Sequence, residues 1–329
     1  MSLRVAITGP TGEIGISTIE ALESNPEVGR IIGMARRPFN PAERGWSKTE
    51  YRQGDILDRD AVDALVADVD VVVHLAFIIM GSREESARVN LAGTRNVFEA
   101  TVAAARPRRL VYTSSVAAYG YHAENSTPIT EDTPPQGSPE HYYSEQKAAC
   151  EAALRETTAG TSLEVFVLRP CIVAGPKATL LADAMPWNQL PDPVRRLTQA
   201  LPLPKPVLPD PGTPLQLVHH DDVARAIALA ATTTSAPPGA YNIAGDGLLS
   251  MSDVADALGA RPIRVPHAAA VATSKVISRL PFLPSALEWL HAGRTSVVMD
   301  TSKAKQQLHW QPKYSAAETL SALASSLNY

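Results

Sequence analysis

Two periods alternate along the 329-residue chain: short apolar, β-branched runs, and longer stretches in which apolar residues recur every three or four positions. The first run, Val5-Ala6-Ile7, passes through Thr8-Gly9-Pro10-Thr11-Gly12-Glu13-Ile14-Gly15 into Ile16, Ile19, Ala21 and Leu22 at helical spacing. That is a strand, a glycine turn and a helix, the helix stopping at Asn25-Pro26 because proline cannot continue it and restricts the residue before it. Arg30–Ala35 reads as a second strand and Tyr51–Asp55 as a short third one closing on a turn, with helical spacing from Leu57 to Val69. Val69–Ala76 is a β-branched run of the kind buried on both faces at the centre of a parallel sheet. A long amphipathic helix is predicted over Ser82–Ala105, followed by a strand, Arg109–Ser115.

The second half repeats the alternation less regularly. His141-Tyr142-Tyr143-Ser144-Glu145-Gln146-Lys147 opens an alanine-rich helix to about residue 158, and Leu163–Arg169 is a sixth strand. Residues 186–214 hold nine prolines, too many for a continuous helix or a central strand, and read either as an irregular lid over a substrate or as a long surface loop. Leu215–Asp222 leads into a helix, Val223–Ala231, with Asp221 or Asp222 as its cap. Tyr241–Gly245 is a late strand, Ser250 with Asp253 starts another helix, and residues 262–295 return to the substrate side. The whole is an α/β chain.

Composition narrows the classes. With 45% hydrophobic and 19% charged residues the chain is globular, and its length supports one large α/β unit or two modest domains. A net charge of -4 and a pI near 6.1 give no reason to expect nucleic acid. Two cysteines, Cys150 and Cys171, are too few for a disulfide framework. Cys171 has no flanking base and reads as a small buried hydrophobe. No apolar run reaches the ~18 residues of a membrane span, and the first strand begins at residue 3, so a cytoplasmic protein is expected.

The glycine turn carries the first chemistry. Gly9 allows the bend, Gly12 lets backbone N–H groups approach a pyrophosphate, and Gly15 lets helix pack on strand. Phosphates then sit on a helix N-terminus, where free N–H groups and the dipole favour negative charge. Arg36 and Arg37 follow the second strand where an acid would accept from a free ribose 2′-hydroxyl; arginine suits a 2′-phosphate, which predicts NADP with NAD as second choice. Ser114 and Ser115 end a strand on the side where open α/β sheets bind ligands, and Tyr143 and Lys147 lie one helical turn apart on one face. His74 stands in an apolar setting and reads as structural. His219, His220, Asp221 and Asp222 together could suggest metal ligands, but the strand-to-helix position favours capping.

These residues together resemble the extended short-chain dehydrogenase/reductases of the NAD-dependent epimerase/dehydratase type. Matching pieces run nearly end to end: Thr8–Gly15, Gly54-Asp55, His74-Leu75-Ala76, Asn90 with Gly93-Thr94, Ser114-Ser115 with Tyr119-Gly120, Tyr143 with Lys147, Leu168-Arg169-Pro170, Gly175-Pro176, His219 with Asp221-Asp222, Tyr241-Asn242, and Asp300–Ala304 to Trp310-Gln311-Pro312. The resemblance implies a Rossmann-type doubly wound parallel sheet over residues 1–175, with returning segments at about 215–248 and 296–304. A smaller, mainly C-terminal substrate lobe takes 176–214, 249–295 and 305–329. It implies Ser115, Tyr143 and Lys147 as catalytic groups. Cofactor contacts would come from Gly9, Thr11, Gly12, Glu13, Ile14, Gly15, Arg36, Arg37, Asp55, Ile56, Leu75, Ala76, Asn90, Tyr143, Lys147 and Pro170. Tyr143 would protonate the oxygen formed by hydride transfer, its pKa lowered by Lys147, and Ser115 would hydrogen-bond the same oxygen.

Departures from the family pattern set the expected function. Sugar-nucleotide dehydratases carry an Asp-Glu pair where this chain has Val116 and Ala117. Positions at which the UDP-galactose 4-epimerase type contacts a diphosphate correspond to Ile172 and Leu215, while Arg294 is an imperfect match to a further nucleotide contact. Phe77-Ile78-Ile79-Met80 gives an apolar pocket wall. The expected activity is therefore reduction of a carbonyl, or oxidation of an alcohol, on a small or lipophilic substrate. A sugar or sugar-nucleotide epimerase is the alternative, and a cofactor-binding regulatory protein a third. A homodimer is expected through helices 82–105 and 141–158, where Ala148-Ala149 and Ala152-Ala153 permit close approach.

Overall fold

The computed structural model describes residues 2–79, 82–189, 205–265 and 296–327. Seven parallel strands form the central sheet in the order β10 (Gly239–Ile243), β6 (Glu164–Pro170), β5 (Arg109–Thr113), β4 (Val71–His74), β1 (Leu3–Thr8), β2 (Val28–Ala35), β3 (Thr49–Gln53). The chain winds outward from β1 in one direction and then from β4 in the other, so the β1/β4 boundary is the switch point at which such sheets open a ligand crevice.

Central strands are apolar on both sides because helices cover both. Val5 and Ile7 of β1 and Val71 and Val73 of β4 join a core with Ile19, Leu22, Val223 and Ile227. Between them Ala6 and Val72 face the opposite core of Val62, Leu65, Val97, Phe98 and Leu154. Helix α1 (Glu13–Glu23) and the helix His220–Thr232 cover the first face; α2 (Arg59–Val66), α4 (Thr94–Ala103) and α5 (Tyr142–Thr158) cover the second. A third core, containing Leu208, Leu217, Leu249, Val254, Leu258, Leu320 and Leu323, belongs to the later part of the chain. There β7 (Ile172–Ala174) pairs β9 (Leu217–His219), and β8 (Val207–Asp210) pairs β11 (Arg261–Arg264).

Several sequence expectations change. The helix expected over 82–105 is α3 (Arg83–Ala87), a π-helical stretch Arg88–Gly93, and then α4. The wider turn carries Asn90, whose side chain reaches the segment after β4. The helix from residue 220 is capped by the His219 side chain, not by Asp221 or Asp222. Buried Asp222 instead accepts from the Lys313 and Tyr314 amides at 2.8 and 3.0 Å and holds the C-terminal segment to this helix. The proline-rich stretch is not wholly irregular, since its Val207–Asp210 is a strand. Residues 190–204 and 266–295, including Arg294, lie outside the described residues.

His74 ties β1, β4 and α4 together: its Nδ1 pairs the Thr8 hydroxyl at 2.6 Å and its Nε2 the Thr94 hydroxyl at 2.9 Å. Burial, reinforced by the Lys147 charge, brings its pKa from 6.5 down to about 3, so it stays neutral in the fold. The unfolded chain binds that proton near pH 6.5. Stability present above pH 6.5 should therefore fall as pH drops toward 3, by up to roughly 1.4 kcal/mol per pH unit. Urea titrations at pH 7, 5 and 4 should show this slope, and His74→Gln should lose that part of it.

Candidate functional site

The glycine turn opens at the β1/β4 switch point. Gly9 has φ +75°, and a Cβ there would meet the Ala76 backbone nitrogen at 2.8 Å. A Cβ on Gly15 would come within 2.1 Å of the Gly9 carbonyl oxygen, so these two glycines are fixed by the fold itself. Gly12 differs. It is exposed, and a Cβ on it would meet only the Gly9 oxygen at 3.5 Å, an ordinary contact. As N-cap of α1 it contributes no side-chain hydrogen bond, so the first turn of an eleven-residue helix faces the opening beside exposed Thr11 without a capping side chain. Open space in front of uncapped N–H groups fits a diphosphate. The Glu13 carboxylate accepts from the Thr179 and Leu180 amides at 3.0 and 3.1 Å, tying α1 to the segment before the short helix Leu180–Asp183; burial raises its pKa. Ile14 packs against the core beneath.

The remaining expected cofactor contacts line the C-terminal ends of the strands. Arg36 and Arg37 are exposed directly after β2, with no carboxylate paired to either among the described residues. Asp55 accepts from the Leu57 amide at 3.0 Å, and buried Ile56 supports Gly93. The Leu75 amide donates to the Thr8 carbonyl at 3.2 Å and the Ala76 amide to the Thr8 hydroxyl at 3.4 Å, which fixes the wall opposite the turn. Asn90 is fully engaged: its amide group donates to the Ile78 carbonyl at 2.9 Å and to Gln146 Oε1 at 2.8 Å, and its oxygen accepts from the Ile78 amide at 2.8 Å. These bonds tie Ile78 to the π-helical turn and to Gln146 of α5. Pro170 is buried at the end of β6 beside Ile243.

Ser115, Tyr143 and Lys147 converge beyond β5. Ser115 accepts from the Ala117 amide at 3.2 Å, starting the short turn Val116–Tyr119, and its hydroxyl is hydrogen-bonded to Tyr143. Burial pushes the Tyr143 phenol up to about 12, against the Ser115 hydrogen bond that lowers it. The Lys147 ammonium donates to the Thr113 carbonyl at 2.9 Å and lies 3.7 Å from the centre of the Phe77 ring, but 5.8 Å from that of Tyr143. Burial pulls Lys147 down to about 8, while Cys150 and Glu151 on the same helix favour its charge.

Two surroundings complete this group, the first of them including Phe77 and Ile79 of the expected apolar wall. Phe77, Ile79, Ala117, Tyr121 and Tyr142 form an apolar and aromatic cluster around Tyr143. Behind it a buried polar chain supports the strand ends: Glu151 accepts from Ser114 at 2.6 Å and from Arg169 at 2.9 and 2.6 Å, Arg169 lies over the Tyr119 ring, and Tyr119 donates to Asn242 at 2.6 Å. A signal existed, because Lys147 and Glu151 are four residues apart on one helix face. His219, His220 and Asp221 do come together, their ligand-type atoms within 4.8 Å. Their bonds are local: His219 caps the following helix, and His220 Nδ1 meets Ser17 and Asp221, each at 2.9 Å. Cys171 is buried and its thiol pushed well up by that burial.

A doubly wound parallel sheet with an uncapped glycine turn at its switch point is a Rossmann-type domain. The chain belongs to the NAD dependent epimerase/dehydratase family, whose model matches residues 5–244. It is similar to the uncharacterised protein y4nG of Sinorhizobium fredii, 27% identical over 324 residues, 95% of this chain and 76% of that one. It is also similar to human 3 beta-hydroxysteroid dehydrogenase type 7, 30% identical over 192 residues, 54% of this chain and 52% of that one. Among solved structures, the UDP-glucuronic acid 4-epimerase of Bacillus cereus in complex with NAD has the same fold, with a TM-score of 0.73, 20% identity and 99% of each chain covered. No described helix is long and apolar enough to cross a membrane.

Proposed function

We propose that the protein is an NADP(H)-dependent carbonyl reductase, or alcohol dehydrogenase in reverse, acting on a small or lipophilic substrate through Ser115, Tyr143 and Lys147. The observation that carries this reading is the apolar and aromatic cluster that includes Tyr143, which suits a hydrocarbon better than a sugar. The likeness to a hydroxysteroid dehydrogenase over 54% of the chain supports it. A bound nicotinamide supplies the hydride; the protein's own task is the oxygen. Tyr143 remains protonated at neutral pH with its pKa near 12, and is therefore ready to donate to a developing alkoxide. Ser115 hydrogen-bonds the same oxygen, and Lys147 holds ribose hydroxyls. Of the stretches expected on the substrate side, the described residues 176–189, 205–214, 249–265 and 305–327 are proposed to contribute to it.

A sugar or sugar-nucleotide epimerase is the second reading, supported by the family and by the fold shared with a UDP-glucuronic acid 4-epimerase. Against it stand Ile172 and Leu215, which offer no charge to a diphosphate. Screening ketones, aldehydes and sugar nucleotides for oxidation of reduced cofactor separates the two: carbonyl-dependent loss of NADPH supports the reductase, and sugar isomerisation without it the epimerase.

For the cofactor, the free positions of Arg36 and Arg37 favour a 2′-phosphate. Arg36→Asp should weaken NADPH binding by ~1.5 to 3 kcal/mol, the worth of a charge-assisted hydrogen bond. Calorimetric titration of both cofactors checks it, and equal or tighter binding of NADH by the unmodified protein would reject the preference. The protein is further proposed to be a homodimer through α4 and α5, whose Ala149 and Ala152 are exposed. A monomer mass in light scattering at micromolar concentration would reject that.

A further inference from the structure

We infer that Phe77 is a gate on the cofactor seat: its ring covers the Lys147 ammonium and must leave it for a nicotinamide dinucleotide to bind. This rests on the assignment of Lys147 to the nicotinamide ribose made above. Phe77 follows β4 directly after Ala76 and is half-buried. Its ring centre lies 3.7 Å from Lys147 Nζ, and its plane stands at 87° to the Tyr143 ring with centres 5.6 Å apart. The ring therefore touches both groups on which turnover depends.

An ammonium has three donors. One is given to the Thr113 carbonyl at 2.9 Å and one points into the Phe77 face, leaving a single N–H. Lys147 is only 3% exposed, so the ring, with the Tyr112 ring 5.3 Å away on another side, stands where water would otherwise solvate the charge. A cation against an aromatic face in a desolvated site is a real attraction. A ribose offering two neighbouring hydroxyls needs two donors and the space in front of them, and the ring holds both. The other groups facing Lys147 are the Cys150 thiol and Glu151 carboxylate of its own helix, the His74 imidazole of β4 and the Tyr143 ring at 5.8 Å.

The gate works by rotation of one side chain. Backbone on either side is pinned: Ala76 donates to Thr8, Ile78 exchanges two hydrogen bonds with Asn90, and the Ile79 carbonyl accepts from the Tyr142 hydroxyl at 2.8 Å. Turning χ1 of Phe77 carries the ring off Lys147 without moving the segment. Because the same ring is part of the apolar cluster around Tyr143, opening the cofactor seat also reshapes the substrate wall. Cofactor would then bind before the substrate pocket takes its working form.

The test uses the full-length protein and Phe77→Leu, which keeps an apolar side chain but has no π face. Titrations are made with NADPH and with 2′,5′-ADP, which carries the adenosine half alone. Phe77→Leu should bind NADPH roughly tenfold tighter, having no cation–π contact to break, with the affinity for 2′,5′-ADP unchanged. In the unmodified protein labelled with ¹³C-lysine, the Lys147 ε-methylene should be shifted upfield by the ring, and should move to the ordinary lysine position on adding NADPH but not 2′,5′-ADP. A methylene that stays upfield in the NADPH complex, or a Phe77→Leu protein with no gain in NADPH affinity, overturns the gate while leaving the reductase reading intact. Failure of the unmodified protein to bind NADPH or NADH at all overturns both.

Discussion

Tyr143→Phe should lower turnover by about 10²- to 10⁴-fold while changing NADPH affinity by less than about twofold. The hydroxyl is the group removed; Ser115 shares its hydrogen bond, and the ring belongs to the aromatic cluster beyond β5. An interaction made only with charge that develops on the substrate oxygen raises the barrier when lost and leaves ground-state binding alone. Tyr143→Phe also keeps the ring edge that meets Phe77, so packing is retained. Steady-state rates with the best substrate from the carbonyl screen, set beside calorimetric NADPH binding, check both halves. Equal loss of cofactor affinity would mean that the phenol holds cofactor and not substrate.

Gly12→Ala is the complementary case. Its Cβ has room in the protein, 3.5 Å from the Gly9 carbonyl, and its φ of -78° suits alanine, so the thermal midpoint should not fall. The methyl would project where a diphosphate has to approach the first turn of α1. NADPH affinity should drop by on the order of 10²-fold, about 2.7 kcal/mol, through lost contacts to charged oxygens. Gly15→Ala should instead damage the fold, because its Cβ would fall 2.1 Å from a backbone oxygen. Scanning calorimetry with and without NADPH separates the two: Gly12→Ala unfolds normally but gains little from cofactor, and Gly15→Ala unfolds early in both. A Gly12→Ala protein that binds NADPH normally would remove the diphosphate from this turn.

Much of the sheet was legible because its strands are short, β-branched and bounded by glycine or proline, and because each buried face demands apolar residues. Val69–Ala76 is the clearest example: burial on both faces leaves little freedom of composition, and residues 71–74 form the strand beside β1. Positions set by one bond at long range were not legible. Asn90 could be noticed, but its commitment to Ile78 depends on a π-helical turn that the apolar spacing does not announce. Asp222 looked like a cap and is a clamp on residues 313 and 314, ninety positions away. The contact of Phe77 with Lys147 was not legible for the same reason. Helical spacing brings Tyr143 and Lys147 to one face, but only the three-dimensional path of the segment after β4 puts Phe77 on the ammonium.

The measurement that bears most directly on carbonyl reduction by the Ser115, Tyr143 and Lys147 group is the fate of a labelled hydride. NADPH carrying deuterium at the transferable position is incubated with the enzyme and the best carbonyl substrate, and product alcohol, its deuterium content and oxidised cofactor are quantified together. One deuterium in each alcohol and one NADP⁺ formed per product are predicted, with all three falling together in Tyr143→Phe. Conversion of a sugar nucleotide to its epimer, with no deuterium taken up and no net change in cofactor, would contradict the reductase.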